Sequence, residues 1–243
     1  MHHTISRRQF VTTGVATLAA SAVNPRAMFP AQKEGPPAML DHILLGCSGL
    51  DRGIDFVLEH TGVRATFGGV HPGRGTQNAL LSLGEKHYLE IIAPDPEQPH
   101  APDHYGLQKL TEPRLVTWAA HPGDLTPFAS RLSAASIAFE GPTPGSRKRP
   151  DGRLLQWKTL TLKDNHSGLL PFFIEWSADT VHPSADAPSG CKIDHFSLAT
   201  PADSELRRIS VTLGLGVSVS YAEQPQVRAR IEGPGGKVLT LSS

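Results

Sequence analysis

The chain has 243 residues in which 23 Lys and Arg balance 23 Asp and Glu, and a charge-balanced protein of this kind is not built for nucleic acid as its main partner. A hydrophobic content of 39%, with 23 Gly and 21 Pro, describes many short elements joined by turns, so the class expected is α+β rather than a bundle of long helices. No apolar run is long enough to form a permanent membrane-spanning helix.

At the N-terminus, Arg7 and Arg8 precede a mildly apolar stretch and then the small-residue site Ala20-Ser21-Ala22. That order resembles a bacterial twin-arginine export signal over residues 1–22, which implies a periplasmic protein exported already folded, with any metal loaded beforehand. Residues 23–39 read as a Pro-rich tether.

Residues 40–94 hold a full strand-helix-strand-strand-strand pattern. LDHILLGC is an apolar run between turn residues, a buried strand carrying Asp41 and His42. Ser48 offers a helix cap with Asp51 three residues on, Leu50, Ile54, Val57 and Leu58 form the stripe, and Gly62 stops the helix. GGVHPGRG reads as a loop, TQNALLSLG as a strand, and HYLEIIAP as the last strand with Tyr88, Glu90 and Ile92 on one face.

The pattern recurs. LVTWAA is again a strand, Thr126 caps a helix with Pro127 at its first position, residues 137–139 form a short strand, and GPTPGSRKRPDG takes the place of the Gly-rich loop. The segment from Gly73 to Leu83 then aligns with that from Gly152 to Leu162, with Gly73/Gly152, Arg74/Arg153, Gln77/Gln156, Leu81/Leu160 and Leu83/Leu162 identical. Carried on, the alignment sets YLEII against FFIEW and makes Glu90 and Glu175 equivalents. Residues 177–190 read as a linker, and residues 191–243 as a third, related unit opening on Asp194 and His195, in which Thr200 to Asp203 cap a helix that Gly214 stops and Thr240 stands where glutamate is expected. Cys47 and Cys191 border the two Asp-His strands; in an oxidising compartment they could pair, but two cysteines fix no spacing and free thiols are the expectation.

Paired units with a histidine on the first strand and a glutamate on the last resemble the vicinal oxygen chelate superfamily, and within it the glyoxalase-like domain branch. The carrying segments are LDH at 40–42, GGVHPGRGTQNAL at 68–80, YLEIIAPDP at 88–96 and PFFIEW at 171–176. The resemblance implies a paired-module, cup-shaped curved sheet over residues 40–176 that holds a divalent metal (Zn, Fe, Mn or Ni) and acts on a small molecule with neighbouring oxygens, as a lyase, isomerase or dioxygenase-like enzyme. Imidazole and carboxylate suit such ions and leave positions open. The candidate ligands are His42, Glu90 and Glu175, with Glu90 and His71 as catalytic groups and Arg74, Asn78 and Trp157 as substrate contacts. The second unit offers no histidine at Leu115 to Ala119, a place that His71 or water could fill, and His195 only if the third unit packs against the first; a metal-free binding or sequestering protein is therefore the rival, with Glu90 and Glu175 ion-paired to Arg74 and Arg153. Arg147, Lys148 and Arg149 read as a solvated basic tip, and His121, His166 and His182 as surface loop residues. The last unit would serve to form a homodimer or to cover a sheet edge.

Overall fold

The computed structural model describes residues 1–2, 35–103 and 105–243. The expected leader and most of the tether lie outside the described residues. β1 (Leu40–Gly46) is buried along its whole length, as its apolar run requires. α1 (Leu50–Thr61) buries Ile54 and Val57, roughly 1.5–3 kcal/mol each when fully removed from water. It ends where expected, at Gly62 in the left-handed region (φ 79°), but its N-cap is Gly49 and no side chain caps it.

β2 (Thr66–His71), β3 (Thr76–Ser82) and β4 (Tyr88–Pro94) complete the first unit, with β4 returning parallel to β1. The second unit repeats the order as β5 (Arg114–Ala120), α2 (Leu125–Ala134), β6 (Phe139–Lys148), β7 (Leu154–Leu162) and β8 (Phe172–Trp176). Antiparallel pairing of β1 with β5 joins the units into one curled sheet in the order β2-β3-β4-β1-β5-β8-β7-β6. Three details differ from expectation. Residues 68–71 continue β2 rather than forming a loop, the Gly- and Pro-rich segment after Phe139 is a ten-residue strand, and α2 is capped by Asp124, whose carboxylate accepts from the Thr126 amide. β6 keeps its ladder to β7 because a register shift between Glu140 and Thr143 absorbs the Gly141-Pro142 pair.

The two ends of the sheet, β2 and β6, approach each other. Glycines make that possible: a methyl group on Gly69, which sits at φ 133°, would lie 3.0 Å from the Lys148 carbonyl and 2.9 Å from Arg147 Nη1. The former linker carries the short helix α3 (Pro183–Asp186) and is held to β3 by the Ser82 amide donating to the Pro188 carbonyl at 2.9 Å.

The third unit keeps the element order, as β9 (Lys192–Thr200), α4 (Asp203–Leu213), β10 (Ser218–Tyr221), β11 (Gln226–Glu232) and β12 (Val238–Ser242). Its strand order is its own, β10-β9-β11-β12, with β10 rather than the last strand parallel to the first. Thr240 therefore is not the spatial counterpart of Glu90. This second sheet covers the convex face of the first, not an edge: the fully buried Trp118 of β5 meets Phe196 of β9 edge-on at 4.9 Å within one continuous apolar core. Cys47 and Cys191 are buried free thiols, and among the described residues no helix is long and apolar enough to cross a membrane.

Candidate functional site

The concave face encloses a cavity of ≈ 370 Å³. From the first unit, alternate residues of each strand reach it: His42 and Leu44 from β1, His71 from β2, Thr76 and Asn78 from β3, Tyr88, Glu90 and Ile92 from β4. From the second come Thr117, Arg147, Trp157, Thr159, Phe172, Ile174 and Trp176. Arg74 and Tyr105 also line it. The sequence-predicted His42, His71, Arg74, Asn78, Glu90 and Trp157 are thus brought together; Glu175 is not.

Glu175 points to the opposite face. Its carboxylate accepts from the Leu125 amide at 2.8 Å, at the start of α2, and from Lys158 Nζ at 3.1 Å, a helix-terminal position where negative charge is stabilised. The reason is register. Leu80 opposes Glu90 across β3 and β4, whereas Thr159, the repeat counterpart of Leu80, opposes Ile174 across β7 and β8. One residue of offset turns a side chain to the other face of a sheet, so the equivalent of Glu90 is Ile174. Arg153 pairs with Asp151 and Asp186. His195 lies on the second sheet beside Ser197, with a 3.0 Å contact between Nε2 and Oγ, away from the cavity.

Glu90 is the centre of the polar wall. Its Oε1 accepts from Asn78 Nδ2 at 2.7 Å, and His42 Nε2 and His71 Nε2 lie 3.5 and 3.6 Å from its two oxygens. Burial alone would raise its pKa, but the fields of His71 and His42, the Asn78 hydrogen bond and Arg147 outweigh it and hold the carboxyl below its usual range. Behind His42 stands Asp41, 2% exposed. His42 Nδ1 donates to it at 2.6 Å, Trp176 Nε1 at 3.0 Å and His182 Nε2 at 3.4 Å. Burial works against the Asp41 charge, yet the hydrogen bonds from His182 and His42 prevail and keep its pKa far below the ordinary carboxylate value. Ionised Asp41 can only accept, so it fixes the His42 ring with Nε2 toward Glu90. Nε2 then lies 3.5 Å from Glu90 Oε2.

His71 is arranged differently. Burial lowers its pKa, opposed by Glu90 and assisted by Arg147, Arg74 and His42. The Asn78 amide, which must donate to Glu90, also lies 3.4 Å from His71 Nε2, and Thr76 Oγ1 sits 2.8 Å from Nδ1. This network assigns the neutral tautomer with the proton on Nδ1 and the lone pair on Nε2 toward the cavity.

Two functional residues were misplaced by sequence reasoning. Arg147, expected at a solvated tip, is 4% exposed and lines the cavity; its neighbour Arg149 instead pairs with Asp186 at 2.7 Å. His182, expected on a surface loop, caps α3 and stacks edge-on against Tyr88 and Trp176. Alternation along β6 from Gly145, opposite Trp157, would have turned Arg147 inward had that segment been read as a strand.

The metal expectation is not met by the donor set. Glu175 faces away, Thr117 and Ile174 occupy the second unit's share of the wall, and Glu90 is engaged by an amide donor. Among the described residues no group of three or more His, Cys, Asp or Glu side chains is placed to hold a metal ion.

Comparison with solved structures finds the same fold. A hypothetical protein from Staphylococcus aureus matches with a TM-score of 0.58 at 16% identity, covering 83% of this chain and 84% of that one. Methylmalonyl-CoA epimerase from Mycobacterium tuberculosis matches at 18% identity and TM-score 0.42, over 63% of this chain and 94% of that one. A Streptomyces coelicolor methylmalonyl-CoA epimerase in complex with 2-nitronate-propionyl-CoA matches at 18% and 0.43, over 58% and 99%. No curated protein sequence matches the chain. The glyoxalase-like domain model matches residues 40–214, which takes in both units of the cup and the first strand and helix of the third. The chain belongs to the glyoxalase-like domain family.

Proposed function

We propose that the cup is the site of metal-independent proton transfer at a carbon next to a carbonyl, an isomerase- or lyase-type reaction on a small oxygenated molecule. The observation that carries this is a buried carboxylate, Glu90, flanked by two imidazole Nε2 atoms at 3.5 and 3.6 Å whose Nδ1 atoms have different partners, Asp41 behind His42 and Thr76 behind His71. His71, whose pKa burial lowers, takes the proton from carbon at Nε2, where its hydrogen-bond contact is the long one to Asn78. A proton donated from His42 Nε2, beside Glu90, goes to the carbonyl oxygen as it becomes an enolate, and Asp41 keeps that imidazole in place. General acid–base pairs of this kind contribute typically 10²–10⁴-fold each.

The test is exchange of carbon-bound hydrogen for deuterium, followed by NMR over a panel of small 2-oxo and 2-hydroxy acids with the full chain in the presence of a chelator. Exchange is expected to survive the chelator and to fall about 10²-fold or more in His71→Gln and His42→Gln. A requirement for added divalent metal, or variants as fast as the parent, would refute it. A second reading, sequestration of a ligand without turnover, draws on the second unit, whose lining apart from Arg147 is neutral; it predicts no exchange and equal ligand affinity in both variants. Export to the periplasm by the paired-arginine leader is part of the proposal, and replacing Arg7 and Arg8 together by Lys should leave the precursor unprocessed in the cytoplasm.

A further inference from the structure

Two of the residues that line the cavity each carry a buried polar atom without a hydrogen-bond partner. Arg147 Nη1 and Asn78 Oδ1 are both buried and make no hydrogen bond, and among the described residues no carboxylate oxygen lies within ion-pair distance of Arg147. The Asn78 orientation is not free to change, because its NH₂ is committed to the Glu90 carboxylate. Both orphaned atoms border the space over Gly68, where an added methyl group would lie 2.5 Å from Asn78 Oδ1 and 3.0 Å from Arg147 Nη1. A buried guanidinium donor left unpaired is costly, more so than a neutral one. Evolution of a packed wall would remove it or pair it unless something else supplies the acceptor. The second unit's surface is aromatic: Trp157 and Trp176 meet edge-on at 5.7 Å, and Phe172 also lines the cavity.

We propose that Arg147 is the anion subsite of the cup, taking the carboxylate of a small carboxylic acid whose apolar body rests on Trp157 and Trp176, with Arg74 at the rim drawing it in. A planar fork matches a carboxylate in a way a point charge does not. The ligand's second oxygen-bearing group then lies toward Glu90 and the imidazoles. This deepens the proton-transfer reading and rests on it for the orientation of the reacting carbon, while the anion subsite itself does not require turnover.

The test uses benzoate and its uncharged isostere benzamide, titrated into the full chain at neutral pH with tryptophan fluorescence as the readout. Benzoate is expected to bind about tenfold or more tightly than benzamide, the effect of one hydrogen bond to a charged group. Arg147→Gln should abolish that preference, and Arg147→Lys, which keeps the charge without the fork, should retain only part of it. Thermal melts identify a variant that fails to fold, and the lysine variant then decides. Equal binding of the two probes, or a preference unchanged in both Arg147 variants, overturns the proposal. The parent protein separates the two ideas: benzoate preference without any hydrogen exchange sinks only the proton-transfer reading, and exchange without that preference sinks only the anion subsite.

Discussion

Replacing Asp41 by Asn tests the part of the site that positions everything else. The side chain is isosteric, so packing is unchanged, but an acceptor of three donors becomes a group whose amide must turn a donor toward one of them. Removing one partner from a buried charged network costs about 3–5 kcal/mol, and the retained carbonyl, which still accepts from Trp176 or His42, brings the expected loss to about 2–3 kcal/mol. For a domain of this size that corresponds to a fall in Tm of roughly 4–12 °C. The pH dependence follows from the direction of the shift. The folded carboxyl lies well below its ordinary value of 3.8, so its stabilisation is complete above that value and is lost as pH falls below it. Urea unfolding of parent and variant should therefore diverge most near neutrality and converge in acid. A variant that melts within about 1 °C of the parent at pH 7 would refute the reasoning, and so would a gap that widens in acid.

The two glutamates separate in mutagenesis. Glu90→Gln can still accept from Asn78, so stability should change by less than about 1 kcal/mol, while deuterium exchange falls about 10²-fold. Glu175→Gln should leave exchange and benzoate binding untouched and cost about 0.5–1 kcal/mol in denaturant unfolding, through the α2 terminus and Lys158. Gly68→Ala pushes a methyl group against Asn78 and Arg147 and should lower stability by about 1–3 kcal/mol, with weakened benzoate binding as the checking measurement. Finally, Thr117→His with Ile174→Glu installs donors where the second unit turns inward; cobalt titration should then show a bound-metal absorption band that the parent lacks, and its absence would mean the register assignment is wrong.

The first unit was largely legible from sequence, because each of its signals acts locally. An apolar run flanked by turns, a helical stripe ended by Gly62 and an alternating last strand need no knowledge of the rest of the chain. The duplication was legible too, through identities between the third strands. What could not be read was register. FFIEW and YLEII look alike, and shifting one against the other by a single residue decides whether Glu175 faces a ligand or a helix; only the pairing of β7 with β8 fixes it. β6 escaped because Gly and Pro are poor strand formers by themselves, and the long ladder to β7 at this end of the sheet overrode that preference. With the strand unrecognised, Arg147 had no reason to be placed inside. The third unit shows the same lesson at the level of topology: identical element order, yet a different partner for the first strand.

The curled sheet is an object of near twofold symmetry whose two halves carry different chemistry. The first unit supplies the titratable groups, the second an aromatic wall and a single cation reaching across the seam. A guest anchored by its charge and laid on the indoles can present only one side of its reacting centre to His71, and it cannot turn end for end without losing its anchor. Copying followed by divergence has in this way turned a symmetric bowl into a handed one, and of two mirror-image guests only one would bring its hydrogen to the base.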